Sequence, residues 1–209
     1  MQLIKLFILI TFFVAGNNLA AQNQFSKRYN FNIPGDIFSS MSIIGDTIYL
    51  TGVSGDTSAN NAEIQVPKNL SGLLDLEGNE IKHNVYKGEW KENYETFLNT
   101  LIKTKDNGFA ICAGSIDTNN IDRALFIKYD SVMDITMVKE YKYPDSVLYM
   151  EGESMIQLMD GSYIITCETN VNYLAYISII KIDSSANLIW WKKYPPPPRC
   201  LMIIQLLFN

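Results

Sequence analysis

Glu151, Glu153 and Asp160 lie within ten residues of one another, in "EGESMIQLMD". Two carboxylates at a suitable separation can divide the acid and base work of glycoside hydrolysis. Spacing along the chain does not set that separation, and solvated carboxylates are the simpler reading. His83, in "EIKHNVY", is the only histidine. A His-rich metal site or a Ser-His-Asp triad therefore has little support, and His83 reads as an ordinary strand residue. Three oxygen-rich stretches, "SGDTSANN" (54–61), "DTNNID" (117–122) and "EGES" (151–154), could ligate Ca²⁺. None has the EF-hand spacing or its closing Glu, so they read as solvated loops. There is no G-x-G-x-x-G and no Walker sequence. "NLS" at 69–71 matches an N-glycosylation acceptor, a short and unspecific motif. Catalytic, cofactor-binding and metal residues are all expected to be none.

Three cysteines are present, Cys112, Cys167 and Cys200, and none has a metal-ligand or CxxC spacing. Cys112 and Cys167 fall in apolar strands, "GFAICAG" and "SYIITCE", where each is expected to pack as a small apolar residue. The chain of 209 residues is 47% hydrophobic and 12% aromatic, a foldable composition rather than a disordered one. Its net charge of −5 comes without blocks of like charge, so a basic groove for nucleic acid is not expected. Residues 1–21 have a lysine near the start, an apolar run over 6–15 and the small residues Ala20 and Ala21. That is the layout of a signal peptide, and the run is too short for the roughly 20 residues that span a bilayer. The mature chain is thus expected to be exported, secreted or at the cell surface, with no membrane span.

The elements that must position these residues come as a repeat. "LLDLEGNEIKHNVY", "IKYDSVMDITMVKEY" and "IKIDSSANLIWWKKY" share an Asp and, eleven residues on, a Tyr: Asp75 and Tyr86, Asp130 and Tyr141, Asp183 and Tyr194. Upstream, "IIGDTIYLTG", "KDNGFAICAG" and "LMDGSYIITC" each set a Gly/Asp turn before a short strand. The middle copy divides into strands at 96–102, 109–113, 124–129 and 135–141. The third divides into 154–158, 163–167, 174–182 and 188–194. The turn at Asn107 and Gly108 is expected to supply positive φ for a tight hairpin. The Asp at each turn start can bond a backbone N–H two residues on. Gly78 suits a positive φ, and its replacement by Met133 and Ala186 suggests that the turn varies between copies. The tyrosines, with Trp190 and Trp191, are expected to fill the space between sheets rather than to offer a stacking platform for a sugar or peptide.

No segment between 22 and 194 has a sustained 3.6-residue apolar period, so the fold is expected to be all-β. It would comprise antiparallel four-stranded propeller-type blades in about three copies, an incomplete propeller. The chain divides into a signal peptide (1–21), a lead-in (22–38), repeats at 39–93, 94–147 and 148–194, and a Pro-rich, apolar tail (195–209). "DGSYIIT…YISIIKIDSSANLIWWKKY" resembles the repeat of secreted β-propeller-like proteins common in Bacteroidota. That repeat runs Asp-Gly-Gly-Tyr-Ile, then Gly, then Leu-Ile-Lys-Leu-Asp-x-x-Gly-Asn-x-x-Trp-x-Lys-x-Tyr. The likeness is closest over 148–194, looser over 94–147 and loosest over 39–93. It departs at Ser162 (Gly in the family), Ala186 (Gly) and Met137 (Trp). The resemblance implies a fold and an export route, often with a type IX secretion sorting domain, and no reaction.

"PPPP" at 195–198 blocks strand pairing, because proline has no N–H for a ladder. The apolar run that follows carries no turn. The tail reads as a premature end by a frame error; the alternative is a native tail docking as an edge strand. The expected function is that of an exported non-enzymatic β-repeat protein in binding or surface attachment, with an unknown protein or glycan partner. The loops at 53–67 and 115–121 would carry the contact surface. The alternative is a fragment of an exported hydrolase or quinoprotein-like oxidoreductase whose catalytic part is missing.

Overall fold

The computed structural model describes residues 29, 36–56, 66–86, 92–94, 100–116, 119, 121–142, 149–171 and 174–195. The export segment at 1–21, Cys200 and the tail at 196–209 lie outside the described residues. Among the described residues there is no helix, and three antiparallel sheets follow one another along the chain. Sheet one runs β1 (Ile37–Ile44), β2 (Thr47–Asp56), β3 (Val66–Asp75) and β4 (Glu80–Tyr86). In sheet two, β5 (Glu92–Tyr94) and β6 (Ile102–Lys103) share one edge of β7 (Phe109–Ile116), and β8 (Asp122–Tyr129) and β9 (Ile135–Tyr141) follow. Sheet three runs β10 (Tyr149–Gln157), β11 (Tyr163–Val171), β12 (Leu174–Ile182) and β13 (Leu188–Tyr194). The all-β expectation holds, with strands in sequence order within each sheet.

The strand expected over 96–102 is not continuous. Residues 95–99 lie outside the described residues, and Thr100 and Leu101 are not in the ladder. The N–H of Thr100 donates instead to Ser40 Oγ of sheet one at 3.0 Å, which takes the chain out of pairing with β7. In the first copy the pairing of β2 with β3 extends outward to Asp56 and Val66, into residues expected to be loop.

One turn joins the last two strands of every sheet. The N–H of Asp75, Asp130 and Asp183 each donates to the carbonyl four residues on, at 2.9 Å. Each Asp carbonyl accepts from the residue three on. The carboxylates close the turns: Asp130 Oδ1 accepts the N–H of Val132 and of Asp134, and Asp183 Oδ1 those of Ser185 and Asn187. The turn does not vary where glycine is replaced. Met133 and Ala186 both take φ of 60°, beside 73° at Gly78. Burial holds these side chains there, since both are almost fully enclosed. The hairpin at 104–108 has the same hydrogen bonds, and its positive φ falls on Asn107, not Gly108. Gly108 is small for a different reason: a Cβ there would lie 2.2 Å from the carbonyl oxygen of Tyr129.

The sheets pack face to face. Phe109, Ile111, Leu125, Ile127 and Tyr129 of sheet two meet Leu73 and Tyr49 of sheet one. Ala110, Cys112, Ala124 and Phe126, on the opposite face, meet Tyr163, Ile165, Cys167, Ile180 and Ile182 of sheet three. Alternation along a strand sends successive side chains to opposite faces, so an apolar strand such as β7 needs cover on both sides. The Phe126 and Tyr163 rings lie 5.0 Å apart, those of Tyr49 and Phe109 4.2 Å. Polar contacts fix the stacking. Tyr141 OH donates to the carbonyl of Ala186 at 2.8 Å, and Tyr129 OH to Asn69 Oδ1 at 2.6 Å. Asn69 is buried by that contact, so it is not an accessible glycan acceptor. Cys112 and Cys167 are buried and not disulfide-bonded.

Two substitutions test this account by urea unfolding. Ala186→Gly relieves the left-handed backbone and should raise stability by about 1 kcal/mol. Tyr141→Phe removes one buried cross-sheet hydrogen bond and should lower it by about 1–2 kcal/mol.

Candidate functional site

The chemistry-bearing residues that the fold gathers lie on the first strand of sheet three. β10 carries a bulge: its register with β11 shifts between Gly152 and Ser154, which leaves Glu153 without an opposite residue. Gly152 is pressed against sheet two. A Cβ there would lie 3.0 Å from Cys112 Cβ and 3.1 Å from the backbone of Ala113. Close approach at Gly152 and the extra residue beside it present Glu153 next to Glu151. Glu151 stands opposite Glu168 in the β10–β11 register, a pairing of like charges that a sheet does not favour.

The electrostatics follow from that crowding. Burial pushes the Glu153 carboxyl up to about 7, and Glu151 and Glu168 add to the rise. Burial also raises Glu151, with Glu168 and Asp122 of β8 adding to it, while the hydroxyl of Tyr149 donates to its carboxylate and opposes the shift. The Cys167 thiol is driven up chiefly by its burial, which makes it a poor nucleophile. At neutral pH the group therefore contains a carboxyl that holds its proton part of the time. Such a carboxyl can donate a hydrogen bond or a proton.

Of the three carboxylates singled out in the sequence, the fold joins Glu151 to Glu153 and sends Asp160 to the other end of the strand. There Asp160 Oδ1 accepts the N–H of Ser162 at 3.0 Å, and Lys181 Nζ lies 3.5 Å away. The Ser162 hydrogen bonds hold its carboxyl down to about 2, so it serves the turn. Glu168 and Asp122 were not found from the sequence. Counting back across the 158–162 turn sets Thr169 opposite Glu151; the bulge shifts the register by one residue and brings Glu168 there, whereas Asp122 arrives from a different sheet.

His83 lies on β4 with its Nδ1 2.7 Å from Glu80 Oε1. Of the oxygen-rich stretches, 57–61 and most of 117–121 lie outside the described residues. Among the described residues no group of three or more His, Cys, Asp or Glu is arranged to hold a metal ion. A depression of about 360 Å³ lies at the turn end of sheet two, lined by Asp106, Gly108, Lys128, Tyr129 and Asp130. Its charges satisfy one another: Lys128 Nζ is 2.5 Å from Asp106 Oδ2, and this bond holds the Asp106 carboxyl below its usual range.

No protein-family model matches this chain, and no curated protein matches it.

The raised Glu153 carboxyl has a measurable consequence. The folded chain keeps this proton to higher pH than the unfolded chain does, so its contribution is most favourable below about 4.5. That contribution is lost as pH rises to about 7. Thermal unfolding between pH 5 and pH 8 should show Tm falling with pH. Glu153→Gln should flatten part of that fall and raise Tm at pH 8. An unchanged slope in the variant would refute the assignment.

Proposed function

We propose that this chain is an exported, non-enzymatic β-repeat protein of the propeller type that acts by binding a protein or glycan, in secreted form or at a cell surface. One observation carries the reading: the residues that recur between copies are used in construction. Asp75, Asp130 and Asp183 close turns, and Tyr141 clasps the next sheet. The residues that do not recur join the second strand of each sheet to the third, at 57–65, 117–121 and 172–173. These connections fall at the end of the sheets opposite the repeated turns and differ in length. A constant stack with a variable rim suits recognition, since loops on a rigid scaffold tolerate change. The signal-type segment at 1–21 and the resemblance to secreted Bacteroidota repeats support export.

A second reading, an exported hydrolase, is favoured by one feature: the Glu153 carboxyl beside Glu151 and Glu168. It would use Glu153 as a proton donor.

The two separate experimentally. The purified chain, labelled and applied to arrays of glycans and secreted proteins, should bind at least one target saturably. Shortening residues 57–65 and 117–121 should abolish that binding while the unfolding transition is kept. Binding that survives both changes would sink the rim reading. Turnover of a glycan or peptide panel that Glu153→Gln eliminates would favour the hydrolase.

A further inference from the structure

Met159 is the most exposed large apolar side chain among the described residues, at 91%. It sits in the hairpin at 158–162, whose backbone hydrogen bonds repeat those of the hairpin at 104–108. The backbone and Asp160 close that turn, and neither needs the Met159 side chain. The other methionines contrast with it. Met133, Met150 and Met155 are almost fully enclosed, and Met137 packs against the core between sheets two and three. Only Met41 among the described methionines is also exposed, at 57%.

The Met159 sulfur has a cation beside it as well as water. Lys105, in the hairpin of sheet two, reaches across to sheet three. Its N–H donates to Gln157 Oε1 at 2.8 Å, and its Nζ donates to the carbonyl of Met159 at 2.6 Å. The same ammonium lies 3.6 Å from the Met159 sulfur. A thioether is a weak acceptor, so this second contact contributes little while the sulfur is reduced. Oxidation makes the side chain polar, and a sulfoxide oxygen facing an ammonium accepts a charge-assisted hydrogen bond.

A peroxide supplies the oxygen. The sulfur lone pair attacks one peroxide oxygen, and the S–O bond forms as the O–O bond breaks. The displaced hydroxide takes the proton left on the transferred oxygen and departs as water. Sulfur loses two electrons and the peroxide gains them. Lys105 keeps its protons and donates one hydrogen bond to the new oxygen.

We propose that Met159 is a site of oxidation by peroxides, and that its sulfoxide, held by Lys105, tightens the contact between the hairpins at 104–108 and 158–162. A modification in one turn of sheet three thereby sets how firmly the end of sheet two is held. The site lies at the end of the sheets opposite the variable connections, so it stands whatever those connections bind.

The test exposes the purified full chain to dilute hydrogen peroxide and follows each methionine by peptide mapping. Met159 should oxidise at least about tenfold faster than Met133, Met150 and Met155, since exposure sets access to the oxidant. Hydrogen exchange then reads the coupling. Oxidation should slow exchange in the peptide holding residues 104–108 by about fivefold, the effect of one added hydrogen bond on local opening. In Met159→Leu the same treatment should leave that exchange unchanged, which separates Met159 from Met41. In Lys105→Ala, Met159 should still oxidise, but without slowing exchange at 104–108. The urea transition of each variant checks that the fold is kept. Oxidation of Met159 no faster than of Met155 overturns the proposal, as does exchange that is unaltered by oxidation or equally slowed in either variant.

Discussion

Both faces of β7 are buried: from Phe109 to Ser115 every residue is enclosed. A strand of that kind cannot lie on the surface of a protein, and a sheet built around it must have a neighbour on each side. The remainder of the structure answers that demand. Sheet one covers the face of Phe109, Ile111, Leu125 and Ile127, and sheet three covers Ala110, Cys112, Ala124 and Phe126. Apolar burial is worth roughly 25 cal/mol per Å² removed from water, so these two interfaces dominate the stability of the stack.

The polar contacts decide register rather than energy. Tyr141 reaches from the end of β9 to the carbonyl of Ala186, the left-handed residue of the next sheet's last turn. Tyr29 makes the same contact with Gly78 at 2.8 Å. Tyr29 thus precedes sheet one as Tyr141 precedes sheet three, and it packs with Phe38 against Ile48, Leu50 and Leu74. Lys82 and Asn84 reach from β4 to the turn at 132–134 of sheet two. The same turn geometry in each copy thus acts twice, closing its own hairpin and receiving a side chain from a residue that precedes its sheet in the chain.

Among the described residues, the carboxylates around the β10 bulge break local rules without a turn or a core to account for it. Glu151 and Glu168 face each other across the ladder, and Glu153 stands on an unpaired bulge position. Gly152 makes the arrangement possible by letting β10 settle onto Cys112 and Ala113. Packing and charge are therefore coupled at one residue: the closer the strand approaches sheet two, the less water reaches its glutamates.

The all-β character, the last three strands of the second copy, the strands of the third and the Asp turns were legible from the sequence, because apolar patterning and turn chemistry are local. The Asp carboxylate needs only N–H groups two and four residues away, and β7 and β11 begin as short apolar runs that follow a turn. What local reasoning misjudged was decided by neighbours distant in the chain. Met133 and Ala186 keep a glycine's conformation because the sheet interfaces bury them. The edge strand of sheet two breaks because Thr100 has a better partner in Ser40, and Asn69 of the glycosylation motif is taken by Tyr129. Glu168 and Asp122 join Glu151 and Glu153 only through cross-strand and cross-sheet approach. The sequence by itself determined most of the strand segments and the Asp carboxylates that close the turns between the last two strands; the tertiary structure alone decided which carboxylates meet, since their separation is set by register and stacking and not by spacing along the chain.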